Sequence, residues 1–317
     1  MNRDEREDPE TVREDPPEHP RLRPGGHPAE ARPLAPGLYL VGTPIGNLQD
    51  ITLRALRVLE AVDRIACEDT RTTRKLLHRY GISKPTVSCH QHNEDARASE
   101  IVGLIREGGK VALVSDAGTP GICDPGAYLV RAAVAAGLPI VPIPGASAAL
   151  TALVASGLRT ERFLFAGFLE SRPLARRGQL QELASMHKTA PTLVLYEAPH
   201  RILETLADVE AIWGAQTQIA VAREMTKLHE EFLRGTVAEV SQALAARERV
   251  KGELVLLIEN LPRLEPAEAA SSLNDRLRDL ARSEGLEEKE ALKRVARERG
   301  LSKSALYREL QQERRKR

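Results

Sequence analysis

A pair of carboxylates and a cation follow an apolar run in the first quarter of this 317-residue chain. Glu68, Asp69 and Arg71 come directly after Arg64–Cys67, a run typical of a buried strand. At a strand end such side chains could accept a proton and stabilise a developing charge. The alternative is that Glu68 or Asp69 caps the helix predicted to follow, because carboxylates are favoured at that position. Both remain catalytic candidates, together with Arg71.

Two later strand ends offer further candidates for acid–base chemistry. Glu197, His200 and Arg201 follow the apolar run Thr192–Tyr196, and the pair Arg223-Glu224 ends another predicted strand. His200 could instead occupy the first turn of a helix, and Arg223 with Glu224 could form an ordinary ion pair. The sequence therefore names several candidates for a general base, among them Glu197 and His200, and does not choose one.

The segment Cys89-His90-Gln-His-Asn-Glu94 combines residue types that bind metals. His90 and His92 are two residues apart, which puts them on one face only of an extended chain, and no second pair of ligands follows. We therefore expect no metal site here.

Three apolar runs each end in a tight loop rich in glycine and proline, over residues 38–47, 111–121 and 140–147. Buried parallel strands are typically unbroken apolar runs, and open α/β sheets bind ligands beyond the carboxyl ends of their strands. The three loops should therefore converge on one edge and surround a nucleotide-sized ligand with backbone. The first loop contains neither G-x-G-x-x-G nor a Gly-Lys-Ser/Thr motif, which removes the usual argument for NAD or ATP. The alternative is that the three loops are merely tight turns.

The periodicity divides the chain into four parts. Residues 1–36 are charged and proline-rich and predict a disordered tail. Strand and helix patterns alternate over 37–158, which predicts a doubly wound α/β domain with a largely parallel sheet. Five strand patterns with two helices over 159–262 predict a second, mixed α/β sheet that contains an antiparallel hairpin. Residues 263–317 are helical in pattern.

The helical tail carries fifteen basic and eleven acidic side chains, a net of +4 over residues 263–317. Within residues 289–310, two helical patterns flank Gly300-Leu-Ser302, as in a helix-turn-helix. Lys303 and Arg308 should lie on or near the outer face of the second helix and favour contacts with nucleic-acid phosphates. The alternative is a small helical module for protein contacts.

The cysteines and the terminus predict a cytoplasmic protein. Cys67, Cys89 and Cys123 are an odd set without C-x-x-C spacing, which fits neither a disulfide framework nor a structural zinc and suits a reducing compartment. No apolar run approaches the roughly 18 residues of a membrane span. The first residues are charged and lack the apolar centre of a signal peptide.

Several long motifs resemble one known family. They begin at Leu40-Val-Gly-Thr-Pro-Ile-Gly-Asn-Leu, Cys67-Glu-Asp-Thr-Arg, Ser115-Asp-Ala-Gly-Thr-Pro and Pro144-Gly-Ala-Ser-Ala, and continue to Lys251-Gly-Glu-Leu-Val-Leu-Leu. These segments resemble the tetrapyrrole-methylase superfamily of S-adenosylmethionine-dependent enzymes, and within it the branch that methylates ribosomal RNA. Leu195-Tyr-Glu-Ala-Pro-His-Arg and Ala222-Arg-Glu-Met-Thr-Lys-Leu-His-Glu-Glu extend the match.

The resemblance implies two α/β domains with a cleft for S-adenosylmethionine between them, in an enzyme that usually forms a homodimer. The cofactor would lie against residues of four motifs: Thr43, Pro44, Asp116, Gly118, Thr119, Pro120, Ile122, Ser147, Ala148, Tyr196, Glu197 and Ala198. The histidine segment matches the family pattern, so a role in lining the substrate site is the favoured interpretation of His90 and His92. The other RNA-contacting candidates are Arg201, Arg223, Lys303 and Arg308.

The implied activity is methylation of the ribose 2′-hydroxyl of a cytidine in the decoding region of 16S rRNA, within the 30S subunit. A hydroxyl is a poor nucleophile near neutral pH, which is why a general base among the candidates above matters. Two other functions are weighed against this one. The first is a methylase of a tetrapyrrole or another small molecule, and the second is a DNA-binding regulator that senses S-adenosylmethionine.

Overall fold

The computed structural model describes residues 33–90, 93–186, 191–261 and 288–298, with the single positions Leu277, Leu280, Leu306 and Leu310. The chain forms two compact units. The first unit contains the residues up to Ala146 except Ile45–Asn47, and the second contains Ile45–Asn47 and the residues from Ser147 onward.

The first unit is a five-stranded parallel sheet with helices on both faces. Its strands are β1 (Gly37–Val41), β2 (Arg64–Cys67), β3 (Thr86–Ser88), β4 (Lys110–Val114) and β5 (Ile140–Ile143), in the order β3-β2-β4-β1-β5. Helices α1 (Leu53–Ala61) and α2 (Thr70–Arg79) cover one face, and α3 (Glu94–Arg106) and α4 (Ala127–Ala135) the other. The predicted doubly wound domain is confirmed.

The second unit is a five-stranded mixed sheet. Its strands are β6 (Phe163–Phe168), β7 (Thr192–Glu197), β8 (Gln218–Arg223), β9 (Glu231–Thr236) and β10 (Leu254–Glu259), in the order β6-β7-β10-β8-β9. Strands β6 and β7 pair in parallel, and the other three pairs are antiparallel, including the predicted β8–β9 hairpin. Helices α6 (Pro173–Ser185), α7 (Ile202–Trp213) and α8 (Val237–Ala245) cover one face. Helix α6 was not among the two helices expected from the sequence.

Helix α5 (Ala148–Ser156) covers the other face of this second sheet. Ala149, Ala152 and Leu153 of α5 are buried against residues of β7, β8 and β10. The sequence placed this helix at the end of the first domain, with a boundary after residue 158. The structure places the change of unit before α5, because the apolar face of the helix packs on the second sheet.

The ends of the chain are described only in part. Leu34 packs against the first core and the Tyr39 hydroxyl donates to the Ala35 carbonyl, so the last residues of the predicted 1–36 tail contact the first unit. Helix α9 (Glu288–Glu298) buries the predicted apolar residues in one cluster with the single described positions: Ala291, Leu292, Val295, Ala296, Leu277, Leu280, Leu306 and Leu310. Lys303 and Arg308 lie outside the described residues, and the helix-turn-helix stays a prediction.

Among the described residues, no helix combines the length and the apolar character that crossing a membrane requires.

Candidate functional site

The loops after β1 and β4 of the first unit are joined by their backbones. Strands β4, β1 and β5 are neighbours and parallel, so their carboxyl ends meet at one edge of the sheet. The Thr43 N–H donates to the Gly118 carbonyl at 2.9 Å, and the Gly118 N–H donates to the Thr43 carbonyl at 3.1 Å. The buried Thr43 hydroxyl also donates to the Ser115 carbonyl at 3.2 Å. These bonds hold the two loops in one conformation.

The loop after β5 is in close backbone contact with the loop after β1, at Gly145 and Gly42. A Cβ atom added to Gly42 would lie 2.9 Å from the Gly145 Cα, and one added to Gly145 would lie 2.9 Å from the Gly42 Cα. The Thr119 hydroxyl donates to the Ala146 carbonyl at 3.4 Å, which ties the loop after β4 to the loop after β5. The expected convergence of the three loops is therefore present.

The residues of this edge fit S-adenosylmethionine, a nucleoside with a sulfonium and an amino-acid tail. Gly118 and Gly121 have φ values of +80° and +82°, a region that favours glycine and lets a ligand approach the backbone. Asp116 is exposed and offers a carboxylate to a ribose hydroxyl or an ammonium group, and exposed Ile122 offers an apolar contact. The predicted cofactor residues of this unit all lie on the first two loops: Thr43, Pro44, Asp116, Gly118, Thr119, Pro120 and Ile122.

Carboxylates line the neighbouring part of the same edge, and we call Glu68, Asp69, Asp116 and Asp124 the acidic edge. Asp69 is the N-cap of α2 and accepts a hydrogen bond from the Arg71 N–H at 2.7 Å. Its carboxylate also pairs with the Arg71 guanidinium at 3.2 Å. Hydrogen bonds from Arg71 lower the pKa of Asp69. Asp69 therefore caps α2, which was the alternative interpretation of this residue. The backbone N–H of Asp69 donates to Asp116 Oδ1 at 3.4 Å.

Asp124 is the member of the acidic edge that the sequence did not identify. Burial is the main cause that raises its pKa to about 6, and the negative charges of Glu68 and Asp116 raise it further. Partial desolvation of its carboxylate also raises the pKa of Asp116, although the residue as a whole is exposed. Asp124 follows the Ser115–Pro120 motif by only a few residues, so proximity in sequence was the available signal. Its surroundings depend on β2, more than fifty residues earlier.

Two residues of the histidine segment, Asn93 and Glu94, form hydrogen bonds that stabilise the local fold around the start of α3. The Asn93 side chain accepts from the His90 N–H at 2.8 Å and donates to the Ser88 carbonyl at 3.3 Å. Glu94 accepts from the N–H groups of Gly126 and Tyr128, which caps the start of α4 from a neighbouring helix. His90 is partly buried, and His92 lies outside the described residues. The role of both histidines in contacting substrate stays a prediction.

The second unit has its own edge where β6, β7 and β8 end together. Tyr196 pairs with Phe168 in register, and its ring makes edge-to-face contacts with Phe165 at 5.0 Å and Phe168 at 5.4 Å between centroids. Phe168 is 55% exposed, which leaves an accessible aromatic surface beside Tyr196. The second-unit cofactor candidates (Ser147, Ala148, Tyr196, Glu197 and Ala198) stay predictions.

Both carboxylate oxygens of Glu197 accept hydrogen bonds from neighbouring residues. One oxygen accepts from the Ala198 N–H at 2.7 Å and from Arg201 Nε at 2.5 Å, and the other accepts from the Thr205 hydroxyl at 2.7 Å. The Glu197 side chain is fully buried and Arg201 is 12% exposed, with a second bond to the Leu169 carbonyl at 3.0 Å. This geometry favours a structural role for both residues over the base and RNA contact expected of them.

The positions of His200 and Arg223 differ from the alternatives expected from the sequence. His200 is exposed and lies just before Arg201, the N-cap of α7, so it is outside the helix that was its alternative position. Arg223 pairs with Glu231 at 2.9 Å rather than with Glu224, and Arg247 pairs with the same carboxylate. Hydrogen bonds from Arg247, the larger cause, and from Arg223 lower the pKa of Glu231 to about 2. The ion-pair interpretation of Arg223 therefore holds, with a different partner.

Comparison with known proteins identifies a family for these features. The family model described as Tetrapyrrole (Corrin/Porphyrin) Methylases matches residues 37–241. Ribosomal RNA small subunit methyltransferase I of Synechocystis sp. is 45% identical over 271 residues, which are 85% of this chain and 95% of the relative. The protein of the same name from Pasteurella multocida is 47% identical over 271 residues, with the same coverage.

Solved structures share the fold at lower identity. The methyltransferase CobJ has a TM-score of 0.53 at 19% identity and covers 71% of this chain and 94% of its own. Uroporphyrin-III C-methyl transferase from Thermus thermophilus, complexed with S-adenyl homocysteine, has a TM-score of 0.50 at 18% identity and covers 71% and 98%. These likenesses show the fold alone.

Proposed function

Because this chain belongs to the tetrapyrrole methylase family, and within it to the ribosomal RNA small subunit methyltransferase I group, we propose that it methylates the ribose 2′-hydroxyl of a cytidine in the decoding region of 16S rRNA. The chain is an S-adenosylmethionine-dependent rRNA methyltransferase. The observation that carries the proposal is identity of 45–47% across nearly the whole length of relatives with that name. The assembled 30S subunit as substrate, a homodimer and a cytoplasmic location belong to the same proposal.

The chemistry requires alignment more than covalent catalysis. When bound, S-adenosylmethionine supplies an activated methyl group on a sulfonium. The joined loops after β1, β4 and β5 would hold it through backbone groups, with Asp116 at the rim. A fixed loop arrangement serves this reaction because correct orientation of nucleophile and methyl group supplies several kcal/mol of the barrier, about 7–11 in favourable cases. The acidic edge next to these loops provides proton acceptors.

A basic helix face begins at the acidic edge and supports a polyanionic substrate. Helix α2 contains no acidic residue, and its exposed side chains Arg71, Arg74, Lys75, His78 and Arg79 form what we call the basic face. Arg71 pairs with Asp69, and Arg74 Nε donates to the Thr86 hydroxyl at 3.2 Å. Lys75 and Arg79 therefore offer the most available charges. Phosphate contacts of this kind position RNA without reading its sequence.

Neutralising two charges of the basic face tests this surface. We expect Lys75→Gln/Arg79→Gln to weaken binding to 30S subunits and to lower the slope of log affinity against log salt by about 1 per lost phosphate contact. The matched control is Arg106→Gln/Arg131→Gln, which removes the same amount of positive charge. Arg106 is exposed on α3 and Arg131 on α4, and both helices cover the opposite face of the sheet. Equal salt slopes for the two double variants would contradict a role for α2.

The central experiment measures product identity. Tritiated methyl transfer from S-adenosylmethionine to 30S subunits that lack their own modifications should give 2′-O-methylcytidine confined to 16S rRNA after digestion to nucleosides. Naked 16S rRNA in parallel should accept less label if the assembled subunit is the substrate. No transfer, with cofactor binding retained, would favour a small-molecule methylase, and specific binding of a DNA duplex without turnover would favour a regulator.

A further inference from the structure

Strand β6 contains three of the four phenylalanines of this chain, and the last of them, Phe168, ends the strand. On a regular strand Phe165 and Phe168 would point to opposite faces of the sheet, because they are three residues apart. A β-bulge changes this arrangement. Phe165 pairs with Val194 and Phe168 pairs with Tyr196, so three steps along β6 match two along β7. Gly167, in the bulge, has a φ of +66°, and both rings therefore lie on one face.

The bulge brings Phe168 into an aromatic cluster without burying it. The Phe168 and Tyr196 rings meet edge to face, with 5.4 Å between their centroids, and Tyr196 contacts Phe165 in the same way at 5.0 Å. Phe165 and Tyr196 pack in the core beneath α5. Phe168 stays 55% exposed at the carboxyl end of β6, supported by the Tyr196 ring.

The backbone that follows Phe168 is held by two hydrogen bonds. Leu169 is buried, and its carbonyl accepts from the Arg201 guanidinium at 3.0 Å. The Glu170 N–H donates to Gln179 Oε1 at 3.0 Å. The first of these bonds joins the loop after β6 to the start of α7, and the second joins the same loop to α6. An exposed ring on a fixed support loses little conformational entropy when a ligand covers it.

The loops after β6 and β7 offer groups for a sugar–phosphate. Arg172 is exposed at the N-cap of α6, and His200 is exposed just before α7. Neither helix start is capped by a side chain, and helix starts favour anions. The exposed Glu170 lies in the same loop as Arg172, so this edge is not uniformly basic. Such a mixed surface suits a single nucleotide better than a long run of phosphates.

A nucleobase is the occupant that fits an exposed ring in an rRNA methyltransferase. Unpaired RNA bases typically stack on aromatic side chains, whatever their sequence. Enzymes that modify a stacked nucleotide turn it out of the helix and hold its base against such side chains. Tyr196 is a predicted cofactor contact, so a base stacked on the neighbouring Phe168 would place its ribose beside the methyl donor.

We propose that Phe168 is the platform on which the base of the target cytidine stacks, with Arg172 and His200 available to its phosphates. This assignment rests on the proposed function. The stack holds the nucleotide outside the RNA helix and so positions its 2′-hydroxyl. Phe168 binds substrate and takes no part in the transfer of the proton or the methyl group.

Phe168→Leu tests the assignment because it keeps an apolar side chain and removes the ring. At saturating 30S subunits, we expect the single-turnover rate of methyl transfer to fall about 5- to 150-fold, which corresponds to the loss of one base–aromatic stack. Phe168→Tyr restores a ring and should recover the rate to within about threefold of the wild type. The slope of log affinity against log salt should stay unchanged in Phe168→Leu, because no charge is removed.

Phe163→Leu is the matched control. Phe163 is the first residue of the same strand and is 43% exposed, but it lies at the opposite end from Phe168. Its rate should equal that of the wild type. The affinity of Phe168→Leu for S-adenosylhomocysteine, measured by calorimetry, should stay within about threefold of the wild-type value, which also reports an intact fold.

Photocrosslinking locates the contact without relying on turnover. The photoreactive p-benzoylphenylalanine, placed at position 168, should crosslink to 16S rRNA at the methylated cytidine or its direct neighbour, as mapped by primer extension. The same group at position 163 should give no crosslink there. Crosslinks from position 168 only to distant nucleotides would overturn the assignment.

The outcomes separate the assignment from the proposed function. A wild-type enzyme that transfers no methyl group to 30S subunits overturns both. Transfer by the wild type, with an unchanged rate in Phe168→Leu, overturns only the assignment. A loss of cofactor affinity in Phe168→Leu that Phe168→Tyr restores would overturn it in favour of a stack on the adenine of the cofactor. A change of oligomeric state in Phe168→Leu, measured by sedimentation, would overturn it in favour of a contact between copies of the chain.

Discussion

The Gly42→Ala variant should bind S-adenosylmethionine about ten- to a hundredfold more weakly than the wild type. The added Cβ would lie 2.9 Å from the Gly145 Cα, and because both groups are backbone, neither can turn away. The loops after β1 and β5 must separate, at a cost of about 1–3 kcal/mol for an overpacked contact. A cost of about 1.4 kcal/mol corresponds to a tenfold change in affinity. Calorimetric titration with the cofactor measures the loss directly.

Two further variants make this result specific. Gly145→Ala should give a similar loss, because its Cβ would meet the Gly42 backbone at the same distance. Gly103→Ala is the control, since this glycine of α3 has nothing within 4 Å of an added Cβ and alanine favours a helix by about 1 kcal/mol. Unchanged cofactor affinity in both Gly42→Ala and Gly145→Ala would remove these loops from the binding site.

The Glu197→Ala variant should lose about 3–5 kcal/mol of unfolding free energy, the usual cost of leaving a buried charge without its partner. The Glu197 carboxylate is fully buried and receives bonds from Ala198, Arg201 and Thr205, and its removal leaves the largely buried Arg201 guanidinium without its counter-charge. Urea denaturation measures the change. Glu248→Ala is the control, because Glu248 is exposed on the same unit, and its effect should stay within about 0.5 kcal/mol.

A double-mutant cycle separates a structural role for Glu197 from a catalytic one. In Glu197→Ala/Arg201→Met the unpaired cation is absent, so the double variant should be more stable than the sum of the single effects predicts, by about 0.5–3 kcal/mol. If Glu197→Gln instead abolished methyl transfer at wild-type stability, Glu197 would return to the role of general base that the sequence suggested.

The local pattern of the chain was sufficient for the fold class and for the convergence of the loops after β1, β4 and β5. Apolar runs that end in glycine–proline loops predicted three strands whose carboxyl ends meet, and β4, β1 and β5 are indeed neighbours. The motifs around Thr43 and Ser115 indicated the family, which the relatives confirm. These features are visible in a sequence because strand period, loop chemistry and motif spacing are properties of residues close together in the chain.

Partnerships between distant segments were decided only by the tertiary structure. Helix α5 has an apolar face that could cover either sheet, and only the packing shows that it covers the second. The sequence made Glu197 a catalytic candidate, and only the structure shows that Thr205 and Arg201 donate hydrogen bonds to its carboxylate. Asp124 had no signature, since its raised pKa comes from burial and from Glu68, which reaches it through the pairing of β2 with β4. A sequence specifies which side chains will be buried, but the charge and solvation of a site depend on which neighbours the fold places around them.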